Sequence, residues 1–112
     1  MPPKPIQWVG AARYELRDFP DDARLDAGFA LWAIQKGEAP PDSKPMPIVG
    51  QGTQEIRIRT TDAYRIFYVA KFEEAIYILH AFQKKTQKTS RQNIETGQQR
   101  YKQLIQQRQL NA

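Results

Sequence analysis

The spacing of apolar residues changes period several times along the chain, and each change marks an element. Pro5-Ile6-Gln7-Trp8-Val9 predicts a short strand whose leading proline suits an edge or first-residue position, and Gly10 breaks it. Ala12, Leu16 and Phe19 then fall at i, i+4 and i+7, one face of a short helix ending near Asp18. Pro20 is placed to start a second helix, with Asp21 and Asp22 in its positively polarised first turn. Ala23, Ala27, Ala30, Leu31 and Ile34 form its apolar stripe, and Gly37 stops it. The two helices read as a hairpin laid on a sheet, with small alanines allowing close approach.

Residues 38–53 carry four prolines and two glycines, which predicts a connecting loop without a regular element. Met46 and Ile48 are expected to pin it, and no chemistry is assigned to it. Three strand signals follow. Gln54 to Thr60 alternates Ile56 and Ile58 against Glu55, Arg57 and Arg59, so one face is apolar and the other charged. Tyr64 to Phe72 and Ala75 to Phe82 are rich in aromatic and β-branched residues, and the connections between the three are short enough for an antiparallel meander. Residues 83–90 read as a polar, basic linker. Thr89 with Gln92 has capping-box spacing, and Ile94, Tyr101, Leu104 and Ile105 recur at near-helical intervals, predicting a C-terminal helix. The expected fold is α+β: an antiparallel meander plus an N-terminal strand, packed by an N-terminal helical hairpin, in one domain spanning 1–112. Trp8, Trp32, Tyr68 and Tyr101 read as packing residues.

Composition narrows this picture. Splitting 112 residues into two cores would leave each too small to bury enough apolar surface. The absence of cysteine excludes disulfides and thiolate metal sites. Neither a signal-peptide pattern nor a membrane-length apolar run is visible, so a cytoplasmic location without membrane association is expected. Charge is uneven: residues 1–50 carry six basic and seven acidic groups, net −1, while residues 51–112 carry eleven and five, net +6. A basic second half suits a polyanion, because each neutralised phosphate releases a counterion; a solubilising charge excess is the other reading.

With a single histidine, no nucleophile motif, no phosphate-binding glycine loop and no carboxylate cluster, triad and metallohydrolase chemistry are not indicated. Arginine, lysine, tyrosine and His80 remain. They suit cleavage of RNA by its own 2′-hydroxyl, where the substrate supplies the nucleophile. The protein must then assist proton removal, stabilise charge on the pentavalent phosphorane and protonate the leaving 5′ oxygen. Arginine forks match phosphate oxygens, and no metal or small-molecule cofactor is required.

Three segments in order carry a resemblance: Glu55-Ile56-Arg57-Ile58-Arg59, then Ala63-Tyr64-Arg65-Ile66-Phe67-Tyr68-Val69, then Leu79-His80-Ala81-Phe82-Gln83-Lys84-Lys85-Thr86-Gln87-Lys88-Thr89. This chain resembles the HigB-like, phage-derived branch of the RelE/ParE toxins over nearly its whole length. The resemblance implies a RelE/ParE-like sheet packed by helices and ribosome-dependent cleavage of messenger RNA. It also implies neutralisation by a cognate antitoxin with a helix-turn-helix domain. Arg65 corresponds to the sheet arginine facing the scissile phosphate, and Lys84 and Lys85 lie where related toxins place a basic residue. Some relatives have a catalytic tyrosine soon after that point; here Thr86, Thr89 and Ser90 stand instead, leaving the general acid or base open.

The catalytic candidates are therefore Arg65, Lys84, Lys85 and His80, and the RNA-binding candidates Arg57, Arg59, Lys71, Phe82, Lys88 and Arg91. Each has a structural alternative. Arg65 could pair with Glu55 or Asp62, the lysines could form a solvated linker, and Arg57 and Arg59 could make surface ion pairs. His80 could be a satisfied core histidine, and Phe82 a core aromatic. Two functional alternatives stand beside the nuclease: a gyrase-inhibiting, ParE-like toxin of the same superfamily, and an inactive RNA-binding module.

Overall fold

The computed structural model describes residues 2–112; Met1 lies outside them. A five-stranded mixed sheet has the order β1-β5-β4-β3-β2, built from β1 (Ile6–Trp8), β2 (Ser43–Pro45), β3 (Thr53–Arg59), β4 (Ala63–Val69) and β5 (Ile76–Lys84). Strands β3, β4 and β5 form the expected antiparallel meander, and β1 lies parallel to β5 with Ile6 opposite Ile76 and Trp8 opposite Ile78. Three helices complete the fold: α1 (Ala12–Arg17), α2 (Asp21–Gln35) and α3 (Arg91–Leu110).

Strand alternation gives the sheet two apolar faces. On one, Ile56, Ile58, Tyr64, Ile66 and Ile78 meet Ala12, Ala23, Ala27, Ala30 and Ile34 of the helical hairpin. Phe19, just beyond α1, closes that layer against Tyr64 at 4.7 Å between ring centres. On the other face Phe67, Val69 and Leu79 pack with Val49 and Leu104 of α3. β4 is thus covered on both sides near its centre, as its sequence requires. Helix α2 ends where glycine permits it: Gly37 has φ +84°, its N–H donates to the Ile34 carbonyl, and Glu38 N–H donates to that of Ala33.

Several expectations are corrected. The 38–53 segment is not wholly irregular, because β2 pairs antiparallel with β3, Ser43 opposite Ile56 and Pro45 opposite Gln54. Its proline is tolerated because β2 is the sheet's edge. Strand β4 stops at Val69, since β3 and β5 provide no partners beyond Thr53 and Tyr77. Gln83 and Lys84 continue β5 instead of starting the linker. The cap of α3 is Ser90, whose Oγ accepts from Asn93 N–H at 3.2 Å, displacing the Thr89 pairing by one residue. Trp32 is 47% exposed on the outer face of α2, so it is not a packing residue.

Candidate nucleic-acid interface

One irregularity in β5 decides which side chains share a face. Between Phe67 and Tyr68 the β4–β5 register jumps: Phe67 faces His80 and Tyr68 faces Ile78, so Leu79 is an extra residue. Such a bulge reverses side-chain alternation along the strand. Ile76 and Ile78 point into the helical-hairpin core, and beyond the bulge Ala81 does so. His80, Phe82 and Lys84 are therefore turned to the α3 side, where β4 presents Arg65 and Phe67. Without the bulge Lys84 would face the opposite side of the sheet.

On this face Arg57, Arg65 and Phe82 lie directly across from one another on three adjacent strands. Two like charges in opposite positions are unfavourable in a sheet. Glu55, 1% exposed, offsets them: its Oε1 lies 3.6 Å from Arg65 Nε and 3.9 Å from Lys44 Nζ, and Thr89 Oγ1 donates to its Oε2 at 3.4 Å. Arg57 is held separately by Asp42, at 2.9 Å from both Nε and Nη2. The Arg65 side chain is nearly enclosed, with Nη1 donating to the Tyr64 carbonyl at 3.0 Å. Burial pushes its guanidinium below the ordinary arginine value; Glu55 opposes the shift, and Arg57 and Arg59 add to it. It remains a cation.

Lys44, Glu55, Arg57, Arg65, Lys84 and Lys88 line a cleft of about 450 Å³. Lys84 also borders an adjoining hollow of about 420 Å³ with Phe82, Lys85, Ser90 and Asn93. The first turn of α3 opens onto this hollow with no acidic residue in it, adding the positive end of a 20-residue helix. Between the two hollows the chain from Lys84 to Thr89 forms a strap, tied by Lys84 Nζ to the Gln87 carbonyl and by Thr86 Oγ1 to that of Lys88.

The candidate residues thus divide. Arg57, Arg65, Lys84 and Lys88 converge on one cleft, and Lys85 and Phe82 line the hollow beside it. Phe82 is 8% exposed and packs edge-on against Phe67, the geometry of a core aromatic. Arg59 lies near the end of β3 along a groove with α2. Arg91 is turned outward and pairs with Glu95 at 3.1 Å. Lys71 follows β4 at the end of the sheet away from Arg65, where its ammonium lies 5.1 Å from the Phe72 ring centre and 3.4 Å from Tyr101 Oη.

His80 is enclosed between β5 and α3. Its Nδ1 meets Glu15 Oε1 at 2.8 Å and its Nε2 meets Asn93 Oδ1 at 2.7 Å, so both ring nitrogens are engaged within the protein. Arg100 Nη1 donates to Glu15 Oε1 at 2.6 Å and to the Leu79 carbonyl at 3.0 Å. Burial works against ionisation of Glu15, but hydrogen bonds from His80 and Arg100 outweigh it and hold the carboxyl at about 2.

Sequence reasoning missed Lys44 and Thr89 in the cleft, Asp42 that holds Arg57 beside it, and Glu15, Asn93 and Arg100 around His80. Glu55 was legible, since it shares the charged face of β3 with Arg57. Among the described residues no group of three or more metal-ligating side chains is assembled, and no helix is long and apolar enough to cross a membrane.

The sequence matches the family model "Phage derived protein Gp49-like (DUF891)" over residues 14–102. The chain belongs to that family. Gp49-like proteins are a RelE/ParE-like toxin family. The matched span of this Gp49-like chain runs from α1 into α3, and so includes β3, the bulged β5, the strap and every residue of the cationic cleft. No curated protein matches the chain significantly.

Proposed function

We propose that this chain is the toxin of a type II toxin-antitoxin system, of the HigB-like kind, and that it cleaves messenger RNA on the ribosome without a metal ion. The observation that carries this reading is the convergence of Arg57, Arg65, Lys84 and Lys88 on one cleft in a member of a RelE/ParE-like toxin family. A phosphodiester entering the cleft meets a guanidinium floor and lysines on the strap. The 2′-hydroxyl attacks phosphorus as its proton passes to solvent water, and charge gathers on the non-bridging oxygens opposite Arg65 and Arg57. A cyclic phosphate forms as the 5′ oxygen departs with a proton. Arg65, braced by Glu55 and the Tyr64 carbonyl, stabilises the phosphorane without having to reorganise. Lys84 lines the same cleft, where its ammonium can donate to the departing oxygen. In the cell this cytoplasmic activity is held in check by a cognate helix-turn-helix antitoxin.

The test is brief induction followed by mapping of new 5′ ends on translated transcripts, repeated with Lys84→Ala and Arg65→Lys. The lysine keeps a charge beside Glu55 but loses the bidentate fork. Each variant should lower cleavage by roughly 10² to 10³ while remaining folded. Undiminished cleavage in both, or intact transcripts accompanied by DNA breaks, would reject the proposal in favour of a different target.

A further inference from the structure

Helix α2 carries a second apolar stripe that the fold leaves uncovered. Leu25 is 62% exposed, Phe29 67% and Trp32 47%, on the side opposite the buried Ala23, Ala27, Ala30, Leu31 and Ile34. Gly28 lies within this outer stripe, at the centre of α2, where glycine weakens a helix relative to alanine. Packing among the described residues does not account for it, because a Cβ placed there would meet no atom within 4 Å beyond the backbone of its own helical turns. An opening flanked by three large apolar side chains suits the close approach of another helix.

The order of residues along the stripe indicates which helix. Two copies of α2 set antiparallel about a two-fold axis between Gly28 and Phe29 bring complementary groups together at every step. Phe29 of each copy faces the opening at Gly28 of the other, Leu25 faces Trp32, and Asp21 faces Lys36. All of these lie on the outer side of α2, with acidic groups at its start and a lysine at its end. We propose that α2 is a self-complementary docking surface whose partner is α2 of a second copy of this chain. The charged ends are free to exchange partners: Asp21 is paired with Arg24 and Lys36 with Glu38 only through exposed ion pairs, which are weak. Isologous contact of this kind closes into a dimer. One helix pair falls at the small end of specific interfaces, so the association is weak and concentration-dependent. The cationic cleft lies on the α3 side of the sheet, so the dimer leaves it open.

Sedimentation equilibrium of the full chain from low to high micromolar concentration tests this. The wild type should pass from monomer to dimer. Gly28→Leu should weaken dimerisation about tenfold or more by filling the space that receives Phe29, while its melting temperature at low concentration stays at or above wild type. Asp21→Lys and Lys36→Asp should each weaken dimerisation, and the two combined should restore it, a recovery that only antiparallel self-pairing explains. A wild-type chain that stays monomeric, a Gly28→Leu variant that dimerises normally, or a charge swap that fails to recover would overturn the proposal. So would a monomer that uses this face only for a helix of a different protein.

Discussion

Arg65→Ala is the obvious probe of the cleft, and it does two things at once. The Glu55 carboxylate is 1% exposed and Arg65 is its nearest cation, at 3.6 Å. Deleting one member of a buried pair leaves the other charge uncompensated, which costs about 3 to 5 kcal/mol. Lys44 at 3.9 Å and Thr89 at 3.4 Å still reach Glu55, which favours the lower end, about 3 kcal/mol. That is a large fraction of the roughly 5 to 15 kcal/mol that holds a domain folded. For a chain of this size it lowers the melting temperature by on the order of 10 °C. Glu55→Gln removes the charge but keeps the shape, so Arg65→Ala in that background should cost only about 1 kcal/mol. Urea denaturation of the wild type, both single variants and the double variant gives the coupling energy directly, expected near 2 kcal/mol. Additive effects within about 0.5 kcal/mol would refute the buried pair. If the coupling is found, loss of toxicity in Arg65→Ala alone carries no information about catalysis. The functional comparison then belongs in the Glu55→Gln background or with Arg65→Lys.

Two further outcomes test the packing around the site. The folded Glu15 carboxyl is depressed from 4.5 to about 2, so its stabilising contribution is complete above about pH 4.5 and disappears as pH falls toward 2. At most about 3 kcal/mol is involved, and Glu15→Gln should flatten the acid limb of the stability curve over that window; an unchanged limb counts against the His80–Glu15–Arg100 network. Gly97→Ala places a Cβ 2.8 Å from Phe67 Cδ2 and 3.0 Å from Val49 Cγ1, so it should destabilise by about 1 to 2 kcal/mol. Gly28→Ala, meeting nothing, should stabilise by up to about 1 kcal/mol in dilute solution; in thermal melts, a rise for Gly97→Ala or a fall for Gly28→Ala would contradict the corresponding assignment.

What could be read from the sequence depended on how local the determining interactions are. The alternation of Ile56 and Ile58 with Glu55, Arg57 and Arg59 places one strand and its charged face directly. The alanine stripe and Gly37 place α2 and its end. The antiparallel meander follows from short connections. Strand β2 did not show itself, because three residues containing a proline carry no alternation, and only the edge of β3 makes them a strand. Lys44 was lost with it. Trp32 was misjudged on residue type, because its helical period sets it opposite the alanine stripe and therefore outside the core. The cluster at the cleft was legible from its residue types, but its members could not be sorted: Lys71 and Arg91 are as basic as Lys88, and only the fold separates them.

The bulge in β5 ties these levels together. It frees the Leu79 carbonyl, which Arg100 of α3 takes up at 3.0 Å, while the same guanidinium bonds Glu15 of α1 at 2.6 Å. His80, the next residue, bridges Glu15 and Asn93 at the start of α3. Three elements remote in sequence are thereby fixed to one irregular point of the sheet, and Asn93 in turn bonds the Ser90 cap where the strap ends. A histidine so placed has no nitrogen to offer a substrate. Its work is to hold the alternation that turns Lys84 toward Arg65 and to anchor the far end of the strap that carries Lys88. The arrangement of the cleft therefore rests on residues that do not line it, and a fully regular β5 would point Lys84 into the side of the sheet already filled by the helical hairpin.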